Sequence, residues 1–208
     1  MSENETKACI LEVATELFAR RGFEGASIRD IAKAAGVNLA AINYHFQNKQ
    51  NLYFSVMDAN CLKMEKEIAE LALDRPSVTE LTLRIFDYFI ERSFEMRNSF
   101  KIILTEATGD MPSKELVDNH IGPPGGEALF AAIEREVGNK ASDDAKIWAT
   151  RVIFSQITHF SLIVSSSWIK QRCTPLDILG KDYQKLTFKN LVIALLSHIQ
   201  SSDWQKPE

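Results

Sequence analysis

Ser27, Arg29, Asn43, Tyr44, His45 and Lys49 crowd into one short stretch of the chain, and their side chains suit a polyanionic, base-bearing surface. The hydroxyls, the guanidinium, the imidazole and the ammonium can all donate hydrogen bonds to phosphate oxygens, which supply position and salt-sensitive affinity. Asn43 has the amide geometry to pair with N6 and N7 of adenine. Leu39, Ala40 and Ala41 share this base-reading surface, and Ala40 or Ala41 can pack on a thymine methyl. No Lys or Arg stands among these four, so bidentate reading of guanine is not expected from this segment.

Other chemistries find little support. Cys9, Cys61 and Cys173 are odd in number, far apart and without CxxC spacing, which argues against a disulfide framework and a zinc module. His120 and His159 have no neighbouring carboxylate or thiol at ligand spacing, so no metal is expected. The run Gly122-Pro-Pro-Gly-Gly126 lacks the Lys-Ser/Thr ending of a phosphate loop and reads as a connection. With no GxSxG elbow, HExxH pair or Walker loop, no catalytic residue and no cofactor are predicted, and the chain is not expected to be an enzyme.

The 208 residues are 45% hydrophobic and 25% charged, with a net charge of −4, a balance typical of a globular protein. Up to Tyr53, Lys7, Arg20, Arg21, Arg29, Lys33 and Lys49 are matched by Glu3, Glu5, Glu12, Glu16, Glu24 and Asp30. A neutral head therefore precedes an acidic body, and it suits nucleic acid only where its basic groups share a face. Apolar runs such as Leu191 to Leu196 fall far short of the roughly 20 residues of a membrane span. The start MSENETKA shows no signal pattern, so a cytoplasmic location is expected.

The elements that must position these groups are helical. Ile10, Ala14, Leu17 and Phe18 recur at helical spacing up to Arg20-Arg21-Gly22. Ser27 and Asp30 then mark the start of a second helix, in which Ile31, Ala32 and Ala35 lead to Gly36. A third helix opens at Val37-Asn38 and carries Ile42 inward, leaving Leu39, Ala40, Asn43 and Tyr44 on its outer face, with His45 near its end. Two short helices joined through a glycine make a helix-turn-helix, whose second helix fits the major groove. A plain three-helix bundle is the alternative reading of the same pattern.

The run from Ile10 to Tyr53, with Leu17-Phe18, Gly22-Phe23, Ser27-Ile-Arg-Asp-Ile-Ala, Ala35-Gly36-Val37, Tyr44-His45-Phe46 and Asn48-Lys49, closely resembles the DNA-binding segment of the TetR family of bacterial regulators. The resemblance implies a helical homodimer, frequently a repressor, that binds double-stranded DNA. It also implies that a C-terminal domain senses a small-molecule effector and that Tyr44, His45 and Lys49 touch the DNA backbone.

The expected architecture is accordingly all-α, with a three-helix helix-turn-helix DNA-binding domain over 1–53 and a helical ligand-binding and dimerisation domain over 54–208. A fourth helix with Leu52, Val56, Ala59, Leu62 and Met64 inward, running to about Leu73, is expected to bridge them. Val78 to Phe100, Lys101 to Thr108, Asp143 to Trp168 and Tyr183 to Ile199 read as further helices, with a break at Gly109-Asp-Met-Pro112.

The helix at 143–168 shows two apolar stripes, one with Ile153, Ile157, Phe160, Val164 and Trp168, the other with Trp148, Val152, His159 and Leu162. The last helix repeats the pattern with Phe188, Leu191, Val192, Leu195, Leu196 and Ile199. Pairing these two helices with those of a second copy would cover both, with Leu195 expected at the contact. Phe86, Phe89, Phe130, Trp148, Phe154 and His159, with Phe94 and Phe100, fall on helices that could surround an apolar or aromatic ligand, although such rings equally fill cores. A nucleoid-organising or adaptor protein with the same head and no ligand is the alternative function.

Overall fold

The computed structural model describes residues 2–92, 124–165, 180–201 and 204. Phe94, Phe100, the helix expected over 101–108, the break expected at 109–112, His120, Gly122, Trp168 and Cys173 lie outside them, as do the side chains of Leu162 and Val164. Among the described residues the chain is all-α, with no strand. The helices are α1 (Glu3–Gly25), α2 (Ile28–Ala34), α3 (Leu39–Phe46), α4 (Lys49–Leu71), α5 (Val78–Glu91), α6 (Gly126–Val137), α7 (Asp143–Ser165) and α8 (Lys181–Ile199). They fall into two compact units that divide at Lys63 within α4.

In the first unit α1 begins two turns earlier than its apolar periodicity. Ser2 and Glu5 form a reciprocal capping box, with the Glu5 N–H donating to Ser2 Oγ at 3.3 Å and the Ser2 N–H donating to Glu5 Oε2 at 2.7 Å. Ile10, Ala14 and Phe18 of α1, Ile31 of α2, Ile42 and Phe46 of α3, and Leu52, Tyr53 and Val56 of α4 are almost fully buried in one core. Of the inward positions expected on α4, Leu62 is instead exposed. Its position on the helix turns it away from the face that carries Leu52 and Val56.

The second unit is built from the end of α4 with α5, α6, α7 and α8. Leu81, Ile85, Phe86 and Phe89 of α5 are buried with Leu129 and Ile133 of α6, Ile153, Phe154 and Ile157 of α7, and Phe188, Val192 and Ile199 of α8. Helix α5 stops at Glu91, short of the expected Phe100, because Arg92 leaves helical backbone at φ −94°, ψ 24°. Gly125 enters α6 at φ 86°, where a Cβ would meet Ile68 Cδ1 at 2.5 Å, so its backbone packs directly on α4.

Charged groups inside this unit are paired. Asp87 of α5 meets Lys185 at 2.6 Å and Lys181 at 2.9 Å, both from α8. Burial pushes the Asp87 carboxyl up, but the two ammonium groups outweigh it and hold it below its ordinary value. Lys146, with a side chain only 4% exposed, is bridged to Glu134 of α6 and to Asp143. Arg84 forks onto Asp74 at 2.6 and 2.8 Å and also caps the Leu71 carbonyl at 3.0 Å, closing the α4–α5 turn.

The last two helices keep one face uncovered, though not the face expected of α8. Leu195 and Leu196 are each only 8% exposed within the subunit, whereas Tyr183, Leu186 and Ile193 are 49%, 54% and 64% exposed. Leu195 therefore belongs to the subunit's own core. On α7, Ile153 and Ile157 face inward, and the exposed stripe carries Trp148, half-buried Val152, Ser155 and His159 at i, i+4, i+7 and i+11. The Trp148 ring meets the His198 ring of α8 at 5.9 Å, so the two outer faces adjoin along that edge.

Candidate nucleic-acid interface

The recognition segment is assembled by local caps before any long-range packing. Ser27 Oγ accepts from the Asp30 N–H at 3.1 Å and starts α2. The same Asp30 takes the Arg21 guanidinium at 3.1 Å, which ties the end of α1 to the start of α2. Gly36 reverses the chain at φ 66°, a backbone conformation that costs glycine nothing, and the Val37 N–H reaches back to the Ala32 carbonyl at 3.0 Å. Asn38 Oδ1 then accepts from the Ala41 N–H at 2.8 Å and opens α3.

Burial of Ile42 and Phe46 fixes how α3 is rotated. Leu39, Ala40, Asn43 and Tyr44 consequently face solvent, Tyr44 being 73% exposed, while Ala41 and His45 are half-buried at the edges of that face. Ser27 and Arg29 are exposed as well, and Arg29 has no ion pair to any described carboxylate. Lys33, an exposed cation one turn beyond Arg29 on the same side of α2, joins them, although its type and spacing alone do not mark it.

Four further residues shape this surface. Glu3 Oε1, at the start of the extended α1, accepts from the Tyr44 hydroxyl at 3.4 Å. Gln47 ends α3 at φ 65°, ψ −48°, and the Asn48 N–H bonds the Phe46 carbonyl across it at 2.7 Å. That i to i+2 bond makes a γ-turn of the rare, strained hand. Asn48 Oδ1 next accepts from the Asn51 N–H at 2.8 Å and starts α4, leaving Lys49 in the first turn. Half-buried Phe23 lies under Lys49, whose Nζ is 4.3 Å from the ring centroid. The Ser-x-x-Glu pattern at Ser2 was a readable signal for the early start of α1. The contacts of Glu3 and Phe23 leave no such mark in the sequence.

The six residues proposed to line a ligand site do not all come together. Phe86, Phe89 and Phe154 are at most 1% exposed, with the Phe86 and Phe188 rings 4.9 Å apart, and Phe130 is half-buried. Trp148 and His159 sit instead on the exposed stripe of α7, because their helical positions face away from Ile153 and Ile157. Among the described residues no group of three or more His, Cys, Asp or Glu could hold a metal ion. None of the described helices is long and apolar enough to cross a membrane.

Residues 10–56 match the family described as bacterial regulatory proteins, tetR family. The chain is 40% identical over 70 residues to the HTH-type transcriptional regulator AcrR of Shigella flexneri, a stretch covering 34% of this chain and 31% of that one. It is 36% identical over 64 residues to the HTH-type transcriptional repressor AcnR of Corynebacterium diphtheriae, covering 31% and 34% of the two chains. The chain thus aligns with about a third of the length of these curated relatives. Among solved structures, Salmonella enterica GusR superposes with a TM-score of 0.68 at 18% identity, covering 93% of this chain and 96% of that one. At that identity the likeness concerns the fold.

Proposed function

Since the chain belongs, through residues 10–56, to the TetR family of bacterial regulatory proteins, we propose that it is a DNA-binding transcriptional regulator. In this reading it acts as a homodimeric repressor on an inverted-repeat operator and is released by a small apolar or aromatic effector. The observation that carries the DNA-binding part is the outward face of α3. Its core residues Ile42 and Phe46 leave Leu39, Ala40, Asn43 and Tyr44 free to enter a major groove, with Arg29 on α2 and Lys49 on α4 flanking them. Asn43 reads adenine, the alanines meet thymine methyl groups, and Ser27, Arg29, Tyr44, His45 and Lys49 hold phosphates.

The test is selection of bound duplexes from a random pool by the full chain, followed by titration of the enriched sequence. The expected product is an inverted repeat with half-sites about one helical turn, roughly 34–36 Å, apart. A chain that enriches no sequence and binds no duplex even at low salt would refute the reading.

One observation favours a second reading in which the same head works without an effector. Phe86, Phe89 and Phe154 are each at most 1% exposed and Phe86 meets Phe188 at 4.9 Å, as rings that serve a core rather than a ligand would be. Thermal stabilisation by apolar and aromatic compounds, repeated with operator present, separates the two. An effector must bind the DNA-free state more tightly, so its stabilising effect should fall when DNA is added.

A further inference from the structure

The aromatic ring under Lys49 has a role beyond the core. Helix α1 is broken at Gly22, at φ 70°, ψ 174°, a backbone region open essentially to glycine. The break turns the chain immediately before Phe23. The Phe23 ring then lies 6.1 Å from that of Phe18, nearly parallel to it, and meets the edge of Tyr53 at 5.1 Å. Phe18 and Tyr53 are each only 1% exposed, so Phe23 is held by the rigid centre of the unit. Phe23 itself is half-buried, and Lys49 Nζ stands 4.3 Å from its centroid.

Lys49 is otherwise weakly restrained. It makes no ion pair with any described carboxylate, and a lysine side chain has many rotamers to lose when it captures a phosphate. The face of an aromatic ring attracts an ammonium through its quadrupole without neutralising its charge. The γ-turn at Gln47 and the Asn48 cap fix where the Lys49 backbone begins, and the ring fixes where its ammonium ends.

We propose that Phe23 is a positioning residue for phosphate contact: it holds the Lys49 ammonium in place before DNA arrives and so reduces the ordering cost of binding a backbone phosphate. The proposal rests on the reading of Lys49 as a phosphate contact. It adds a residue that touches no DNA and carries no charge.

The test is a double-mutant cycle in the full chain, using the duplex enriched by the wild-type protein and anisotropy titrations at several salt concentrations. Phe23→Leu should weaken binding about two- to tenfold in the wild-type background. It should have no effect in Lys49→Ala, while Phe23→Tyr, which keeps a ring, should bind as the wild type does. Lys49→Ala itself should lower the salt slope by about one unit. Without DNA, ring-current shifts should move the Lys49 side-chain proton resonances upfield in the wild type and in Phe23→Tyr, and not in Phe23→Leu. Circular dichroism checks folding, and Phe23→Met is the second ringless variant if leucine is not tolerated.

Equal weakening in both backgrounds would assign Phe23 a purely structural role and overturn the proposal, as would unchanged affinity in the ringless variants. A salt slope unaltered by Lys49→Ala, in a chain that still binds DNA, would remove Lys49 as the phosphate contact and the proposal with it. A wild-type chain that binds no duplex defeats the functional reading itself, an outcome distinct from all of these.

Discussion

Replacing Ile193 with glutamate should dissociate the proposed homodimer and leave the subunit folded. Ile193 is 64% exposed on α8, in line with Leu186 at 54% and Tyr183 at 49%, and beside the outer stripe of α7 that begins at Trp148. Complete burial of an isoleucine side chain contributes roughly 1.5–3 kcal/mol, so a second copy covering this exposed fraction would gain about 1–2 kcal/mol here. Two-fold symmetry repeats the contact, raising the loss on mutation to about 2–4 kcal/mol, or roughly 30- to 700-fold in the dimer Kd. The buried carboxylate adds a desolvation cost to this figure. Sedimentation equilibrium over a range of concentrations reads the Kd, and circular dichroism confirms that the helices persist. Leu195→Glu is the contrasting variant: Leu195 is 8% exposed within the subunit, so its replacement should lower the unfolding free energy of the subunit itself. An Ile193→Glu protein that dimerises as tightly as the wild type would show that this face is not the interface.

Four further outcomes are expected. Glu3→Gln should raise DNA affinity a few-fold at low salt and less at high salt, because it removes a carboxylate beside Tyr44; salt-dependent anisotropy checks this, and unchanged affinity would show that Glu3 lies out of range of the phosphates. Asn43→Ala should cost about 1–3 kcal/mol at one base pair and relax choice there, read by competition with single-substituted operators. Gly125→Ala should destabilise the protein by about 2–4 kcal/mol in urea unfolding, since its Cβ would lie 2.5 Å from Ile68 Cδ1 on a backbone at φ 86°. Asp87 should contribute to acid sensitivity: its folded pKa is depressed, so its stabilisation is present above the unfolded value near 3.9 and is lost as pH falls through the lower folded value. Asp87→Asn should flatten the acid limb of stability against pH, and an unchanged limb would assign it to other carboxylates.

The helix-turn-helix was legible in the sequence because its signals are local. Ser27 and Asn38 cap the helices they precede, Gly36 takes the positive φ of the turn, and the spacing of Ile42 and Phe46 sets which residues of α3 point outward. Cap, turn and period act within four residues of chain, and the residue types that satisfy them are few. The early start of α1 was equally local, written in Ser2 and Glu5, although the apolar pattern alone placed the start later.

Tertiary structure decided what depends on partners far away in sequence. Both faces of α8 are apolar, and only packing against α5 and α7 distinguishes inward Leu195 from outward Ile193. The aromatic residues of the second unit likewise divide into buried Phe86, Phe89 and Phe154 and exposed Trp148 and His159 according to helix rotation. Tyr44 meets Glu3 across a separation of 41 residues, and Lys49 reaches Phe23 across two whole helices and a γ-turn. Periodicity states that a residue is apolar or charged and on which side of its own helix it lies. Which neighbour occupies that side is settled by the packing of helices against one another, because side-chain contacts depend on distance in space and not on distance along the chain.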